Sequence, residues 1–470
     1  MTLKKQIAHN TIIQLGGKII STLLGLLAVL IMIRGLGAEK FGWYTTAMGF
    51  LQFVGIFSDF GFTVISATML SEPRFDKEKL LNNLFSWRLI TAAIFQGLAP
   101  LLFLFFPYPL EIKLAVAITA ISFFAVSASQ VFAGYYQMKL KTHIITTGEL
   151  IGRTILLISA FLLTKNSAGF LYFMIAISGA SVVNALYLFL RAPKLKLEFD
   201  KEISQAIFTK IWPTALCIIF NSFYLQGDRV ILPLFSEQTQ VGFYGAAYRV
   251  LDIIIQIAAL TMGIISPLLA YFWSRRQPLE FSKYLQIAFD LMALILVPLM
   301  IGAIALAEPI MRFVGGEEFA GAGKILIWLS WTILGICFGM VFGYTALAID
   351  KQKQAIWIYA SDAILSIIGY SIFIPRFGIY GAAGVTIFSE LFAGLMLMLL
   401  VSHFTSFYPH LKALFKIIMA GLIMYIAITF IPLPHVLWSI TLGGIVYCLL
   451  TLIFKIISRE TIREILRPNN

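Results

Sequence analysis

Runs of roughly 20 apolar residues recur along almost the whole chain, separated by short polar connections. Chains of this kind have few structural options. In hydrocarbon every backbone N–H and C=O needs a partner within the protein, so only helices and closed barrels cross a bilayer. Barrel strands alternate apolar and polar residues. These runs are continuous, which selects helices. Fourteen candidate spans follow, at about 9–33, 42–68, 81–106, 112–137, 143–164, 168–190, 207–235, 242–273, 284–307, 322–348, 354–374, 379–402, 411–431 and 435–457. Charged residues make up 12% of the chain, about half the share in a soluble domain, and the mean hydropathy is +0.90. The expected fold class is an all-α integral membrane protein of about 14 transmembrane helices. Pro100, Pro213, Pro233, Pro267 and Pro298 fall inside spans and mark candidate kinks.

Basic residues set the orientation. With the N-terminus inside, 24 of the 35 Lys and Arg fall on inner segments and 7 on outer ones. Both termini are therefore expected in the cytoplasm, in the cell inner membrane, with the first helix as a retained anchor. The net charge of +12 then reads as inner loops facing anionic lipids. Nucleic acid is not an expected partner, since no soluble basic domain exists to hold it. The longest hydrophilic connection is 191–206, RAPKLKLEFDKEISQA. It separates an expected N-lobe, 1–190, from a C-lobe, 207–402, of six spans each. Residues 411–457 add two further spans, and 458–470 read as a short surface helix in a cytoplasmic tail.

The two lobes share a trace of repetition. Phe41-Gly42-Trp43-Tyr44-Thr45-Thr46-Ala47 aligns with Val241-Gly242-Phe243-Tyr244-Gly245-Ala246-Ala247. Gly, Tyr and the last Ala recur, with an aromatic at the third place. Weak symmetry between hydrophobic halves is a mark of transporters.

Ionisable residues inside spans are candidate functional groups, because each is expensive there. The bases are Lys18, Arg153, Arg229 and Arg249, joined by Arg88 near the start of span three. The acids are Asp59, Glu149, Asp228, Asp252, Asp290, Asp362 and Glu390. Glu149 and Arg153 are four apart, and Arg249 and Asp252 three apart, so each pair can close on one helix face. Either pair then fixes packing or serves function. Lys18 has no acid within one turn on its own helix and reads as a substrate-facing cation, unless a cross-helix acid such as Asp59 neutralises it. Asp59 reads equally as a helix-end hydrogen-bonding group beside Gly61. Facing one cavity, Lys18, Arg88, Arg153 and Arg249 make a positive interior suited to phosphate or pyrophosphate. Asp59, Glu149, Asp252, Asp290, Asp362 and Glu390 are left for charge pairing or coupling. Cys217, Cys337 and Cys448 lie far apart in apolar runs, and no histidine has metal spacing, so no metal or cofactor is expected.

LGAEKFGWYTTA followed by FSDFGF, GDRVILPLFSEQTQVGFYGAAYRV, and PRFGIYGAAGVTIFSE together resemble the polysaccharide transporter (Wzx-type) branch of the MATE-like flippase superfamily. The stretch KNSAGFLYFMIA departs from the pattern. The resemblance implies two pseudo-symmetric six-helix lobes plus two C-terminal helices, which would form a groove for a polyprenyl tail. It also implies translocation of an undecaprenyl- or dolichyl-linked oligosaccharide to the outer leaflet, the lobes rocking about 191–206, alongside polysaccharide-assembly proteins. Three alternatives stand. A cation-coupled drug antiporter would use the acids. A membrane polymerase or ligase would need a large outer loop with catalytic groups, and every outer loop here is short. A scaffold for a glycan-assembly complex would differ only in its partners.

Overall fold

The computed structural model describes residues 3–71, 75–139, 141–192, 195–431 and 433–456. The expected tail helix at 458–470 lies outside them. The elements of the described chain are all helices, joined by short turns and connections. In order, the helices are α1 (Leu3–Asp59), α2 (Phe62–Ser71), α3 (Lys77–Phe103), α4 (Leu110–Met138), α5 (Thr142–Lys165), α6 (Phe170–Arg191), α7 (Lys201–Phe235) and α8 (Gln238–Ser274). There follow α9 (Pro278–Ala305), α10 (Ala307–Gly315), α11 (Ala322–Ser330), α12 (Thr332–Ala348), α13 (Gln352–Thr405), α14 (Lys412–Phe430) and α15 (Val436–Ile453).

Two of these helices are hairpins. α1 breaks at Gly37 (φ 74°, ψ 176°) and α13 at Gly378 (φ 56°, ψ −132°). Side chains rarely tolerate such angles, so glycine is what allows each chain to reverse within two or three residues. Each hairpin supplies two apolar legs, and α11 with α12 makes one span interrupted at Trp331. With these joined and divided accordingly, the described helices account for fourteen apolar legs.

The structure also departs from the expected spans. Span two is not one continuous helix. It stops at Asp59, turns through Phe60 (φ 43°) and Gly61 (φ 86°), and resumes as α2. The short helix α10 in the connection after α9 was not anticipated, because its nine residues are too few to stand out from a loop between membrane-length apolar runs. Pro267 and Pro298 do not end their helices.

The chain forms two compact units, Met1–Gly242 and Phe243–Asn470. In the first, α1 and α5 approach through small residues. A methyl on Gly17 would strike Thr146 Cγ2, and one on Gly35 would sit 2.3 Å from Thr164 Oγ1. Membrane helices pack this way because lipid gives apolar faces no reason to prefer each other. The first motif copy and the start of the second cross here too. A Cβ on Gly42 would lie 1.8 Å from Gln238 O, and one on Gly242 2.0 Å from Ala38 O. The repeated glycine is thus a point of backbone contact. At the start of α3, Leu80, Leu84, Phe85, Phe132, Leu188, Ile203 and Ile207 form a core joining α3, α4, α6 and the entrance of α7.

In the second unit α9 is the central helix, with Leu285, Ala288, Met292 and Leu296 buried. α14 lies along it at Gly421, whose absent side chain admits Ile301. Tyr447 of α15 donates to Leu294 O at 2.9 Å. Large apolar side chains such as Phe105, Trp357 and Phe430 are more than three-quarters exposed, as a lipid-facing surface requires.

Candidate functional site

Three polar nodes interrupt the apolar helices. The first forms where span two breaks. The φ-positive turn at Phe60–Gly61 leaves Asp59 at a helix end, and its Oδ2 accepts from Gly61 N at 3.2 Å. Arg88 of α3 reaches it, Nη2 lying 2.6 Å from Asp59 Oδ1. Arg88 Nε donates to Ser127 O at 2.8 Å and Nη1 to Thr63 Oγ1 at 3.2 Å, while Nη2 also donates to Gln130 Oε1. The Thr63 hydroxyl lies between the Asp59 carboxylate and Gln130. Arg88 is 1% exposed, and each of its three guanidinium nitrogens has at least one of these acceptors. A buried charge needs this degree of satisfaction to persist. Arg88 is therefore neutralised by Asp59, and in this conformation it is not presented as a free cation.

The second node lies on the face shared by α1 and α5. Lys18 Nζ is 3.5 Å from Glu149 Oε2, and Ser21 Oγ donates to the same oxygen at 3.2 Å. The cross-helix partner of Lys18 is thus Glu149 and not Asp59. Among the described residues Glu149 forms no ion pair with Arg153, one turn further along α5. The reason is geometric. Gly25 leaves a gap on α1, and Arg153 lies over it, with Cδ, Nε and Cζ each 3.4 Å from where a Gly25 Cβ would be. Arg153 is exposed, in the middle of a 24-residue span, and makes no hydrogen bond or ion pair among the described residues. Placing arginine at a helix centre in lipid costs about 2.5–3.5 kcal/mol on insertion scales. An exposed, unpaired guanidinium at that depth therefore belongs beside water or an anionic ligand.

The third set lies in the second unit. Arg249 and Asp252 pair at 3.1 Å, both about a quarter exposed. Asp362 is fully buried, and Ser389 Oγ sits 2.9 Å from each of its oxygens, with Ser366 Oγ at 3.4 Å. Glu390 is 7% exposed, on the leg of α13 that meets α12 at Gly335. Asp290 accepts from Gln286 Nε2 at 2.9 Å, and the same amide exchanges hydrogen bonds with the His410 backbone. The second motif copy contributes Tyr244, whose hydroxyl meets Thr386, itself 3.0 Å from the Tyr370 hydroxyl. Back in the first unit, Asp228 is buried, and Arg229 donates to Gln52 Oε1 at 3.4 Å. No cluster of three or more metal-ligating side chains exists among the described residues. Cys337 is buried and Cys448 exposed.

Reading charges alone misses the neutral members of these nodes: Ser21, Thr63, Ser127, Gln130, Ser366 and Ser389. The available signal was an amide or hydroxyl within an apolar run, and Gln130 in AVSASQVFAG carries it.

Fourteen legs and two units with intramembrane polar nodes describe a transporter-like scaffold, and comparison with known proteins identifies its kind. Residues 7–273, more than half of the chain, match the family described as polysaccharide biosynthesis protein. The chain belongs to that family. As a member, it also matches the MatE family over residues 213–372. It is 25% identical over 256 residues to the probable low-salt glycan biosynthesis flippase Agl15 of Haloferax volcanii, across 52% of this chain and 53% of that protein. The match spans about half the length of that relative. The fold is like that of lipid II flippase MurJ in an inward closed conformation, with a TM-score of 0.77 at 18% identity over 94% of this chain and 98% of that one. An inward-facing multidrug resistance MATE family transporter of the MOP superfamily gives 0.67 at 14% identity, over 84% and 98%. The family member is a multi-pass membrane protein, and the resemblance read from its hairpin motifs holds.

Proposed function

We propose that this protein is a flippase that carries a polyprenyl-(pyro)phosphate-linked oligosaccharide from the cytoplasmic to the outer leaflet, for cell-surface polysaccharide biosynthesis. The observation that carries the reading is Arg153, exposed at mid-span and unpaired among the described residues, with Lys18 in the same node, held by a 3.5 Å pair to Glu149. A guanidinium in that position binds a phosphate through paired N–H donors. The headgroup passes by this cationic face while the polyprenyl tail stays in lipid. The site is open to one leaflet at a time, and both termini remain in the cytoplasm. The carrier is an undecaprenyl or dolichyl lipid. Support also comes from the family, whose description names polysaccharide biosynthesis, and from a relative named as a glycan flippase.

The test is equilibrium binding to purified protein, with undecaprenyl pyrophosphate compared with undecaprenol. Charge-assisted hydrogen bonds contribute about 1.5–3 kcal/mol, so the pyrophosphate should bind at least about tenfold more tightly. Arg153→Ala should remove most of that difference. Equal binding of the two lipids, or an undiminished difference in Arg153→Ala, would refute the cationic site. Preferential binding of an organic cation would point instead to a drug antiporter.

A further inference from the structure

α3 begins with polar residues that its membrane location does not explain. Asn82, Asn83 and Ser86 are 3%, 0% and 0% exposed. Buried amides and hydroxyls persist only when hydrogen-bonded, and here the partners come from the connection that precedes α7. Lys196 N donates to Asn82 Oδ1 at 3.2 Å, Glu198 N to Ser86 Oγ at 2.9 Å, and Asp200 N to Asn83 Oδ1 at 2.7 Å. The i, i+2, i+4 spacing of these amides is that of an extended chain presenting one edge. Asn82 Nδ2 returns a bond to Glu198 Oε2 at 3.1 Å. Asn83 Nδ2 and Ser86 Oγ are anchored in turn on Lys79 O and Asn82 O.

The next residue, Trp87, extends the grip. Its Nε1 donates to Ser204 Oγ at 2.9 Å, and its ring packs edge-on against Phe199 and Phe208, with centroids 5.5 and 4.8 Å away. Asp200 then caps α7, accepting from Ile203 N at 3.0 Å, and Ile203, Ile207 and Ile211 enter the same core as Leu80 and Leu84. One residue beyond Trp87 on α3 is Arg88, the centre of the Asp59–Gln130 node.

We propose that Asn82, Asn83 and Ser86 form a clasp that holds residues 195–200 on α3 throughout the transport cycle, so that this connection is a fixed anchor positioning Arg88 and the entrance of α7. A free linker would be the hinge between lobes. A chain held by three backbone bonds, two aromatic contacts and a helix cap moves with α3 instead, and the pivot lies elsewhere. The inference rests on the transport reading for its cycle, while the clasp itself has a readout independent of transport.

That readout is hydrogen exchange. The amides of Lys196, Glu198 and Asp200 should be protected in the purified protein without substrate, and exchange at least about tenfold faster in Asn83→Leu. Asn83→Asp keeps the oxygen that accepts from Asp200 N but loses the donor to Lys79 O, so it should restore part of the protection and of the rate of lipid flipping. Exchange at loop rates in the unaltered protein would overturn the clasp.

Permanence is tested by cross-linking. With Cys217, Cys337 and Cys448 replaced by Ala, Asn83→Cys and Asp200→Cys are joined by a short bifunctional thiol reagent containing a reducible disulfide. The cross-linked protein should keep at least a third of the flipping rate it shows after reduction. A lower rate, restored by reductant, would mean that the connection must leave α3 in each cycle, and would overturn the proposal. Absence of flipping by the unmodified protein would defeat the transport reading while leaving the exchange result standing.

Discussion

At the scale of single residues, Arg88 and Arg153 of the first unit have opposite situations, and substitutions should separate them. Arg88 is buried and paired with Asp59 at 2.6 Å. Removing one partner of a buried pair strands the other and costs about 3–5 kcal/mol, with the lower end expected here because Asp59 is 23% exposed. Arg88→Ala should therefore lower the melting temperature of the solubilised protein, and Arg88→Met combined with Asp59→Leu should recover most of the loss. A double variant no more stable than the single would show that Asp59 does not carry the pairing. Arg153 packs over Gly25 but makes no hydrogen bond or ion pair among the described residues, so Arg153→Ala should change melting little while removing transport. Loss of folding in Arg153→Ala would make that residue structural. Which acid pairs with which base was only partly legible in the sequence. Arg249 and Asp252 close as their three-residue spacing predicts. Glu149 ignores Arg153 and reaches Lys18, 131 positions away, because Ser21 and Gly25 open the surface of α1. Helix-local rules see one helix, and the competing partner belonged to another.

Among elements, the apolar legs were legible because lipid leaves an apolar run little choice but helix. Their interruptions were less so. The turns at Gly37 and Gly378 lie in glycine-bearing stretches, RGLGAEKFG and PRFGIYGAAG. The break after Asp59 was legible only in the helix-end reading of Asp59 beside Gly61, within a run otherwise expected as one span, and the neutral residues that stabilise it carry no charge to draw notice. The repeated glycine of the hairpin motif has a testable role. A methyl at Gly42 would sit 1.8 Å from the Gln238 carbonyl, whereas one at Gly179 meets nothing within 4 Å. Overpacking of a tight contact costs about 1–3 kcal/mol. Gly42→Ala should reduce the folded yield in membranes and Gly179→Ala should not, as read by size-exclusion profiles of the two proteins. Equal profiles would contradict the backbone crossing at that position. Helices α14 and α15 cover apolar residues of α9, such as Val297 and Ile301, that lipid can cover in their absence. Deleting residues from 411 onward should leave an inserted, folded remainder that has lost transport. Disappearance of the protein would make those helices part of the folding core.

For the whole molecule, the account joins a fold shared with MOP superfamily transporters to an exposed mid-span cation and a clasped connection. The direct test is flipping in proteoliposomes. An undecaprenyl pyrophosphate-linked oligosaccharide is placed in one leaflet, and its appearance in the other is timed with a membrane-impermeant glycan probe. The account predicts exposure much faster than in protein-free vesicles, reduced about tenfold or more in Arg153→Ala and partly retained in Arg153→Lys, which keeps the charge but loses the forked donor geometry. Exposure at the protein-free rate across several oligosaccharide lipids, or full activity of Arg153→Ala, would contradict it.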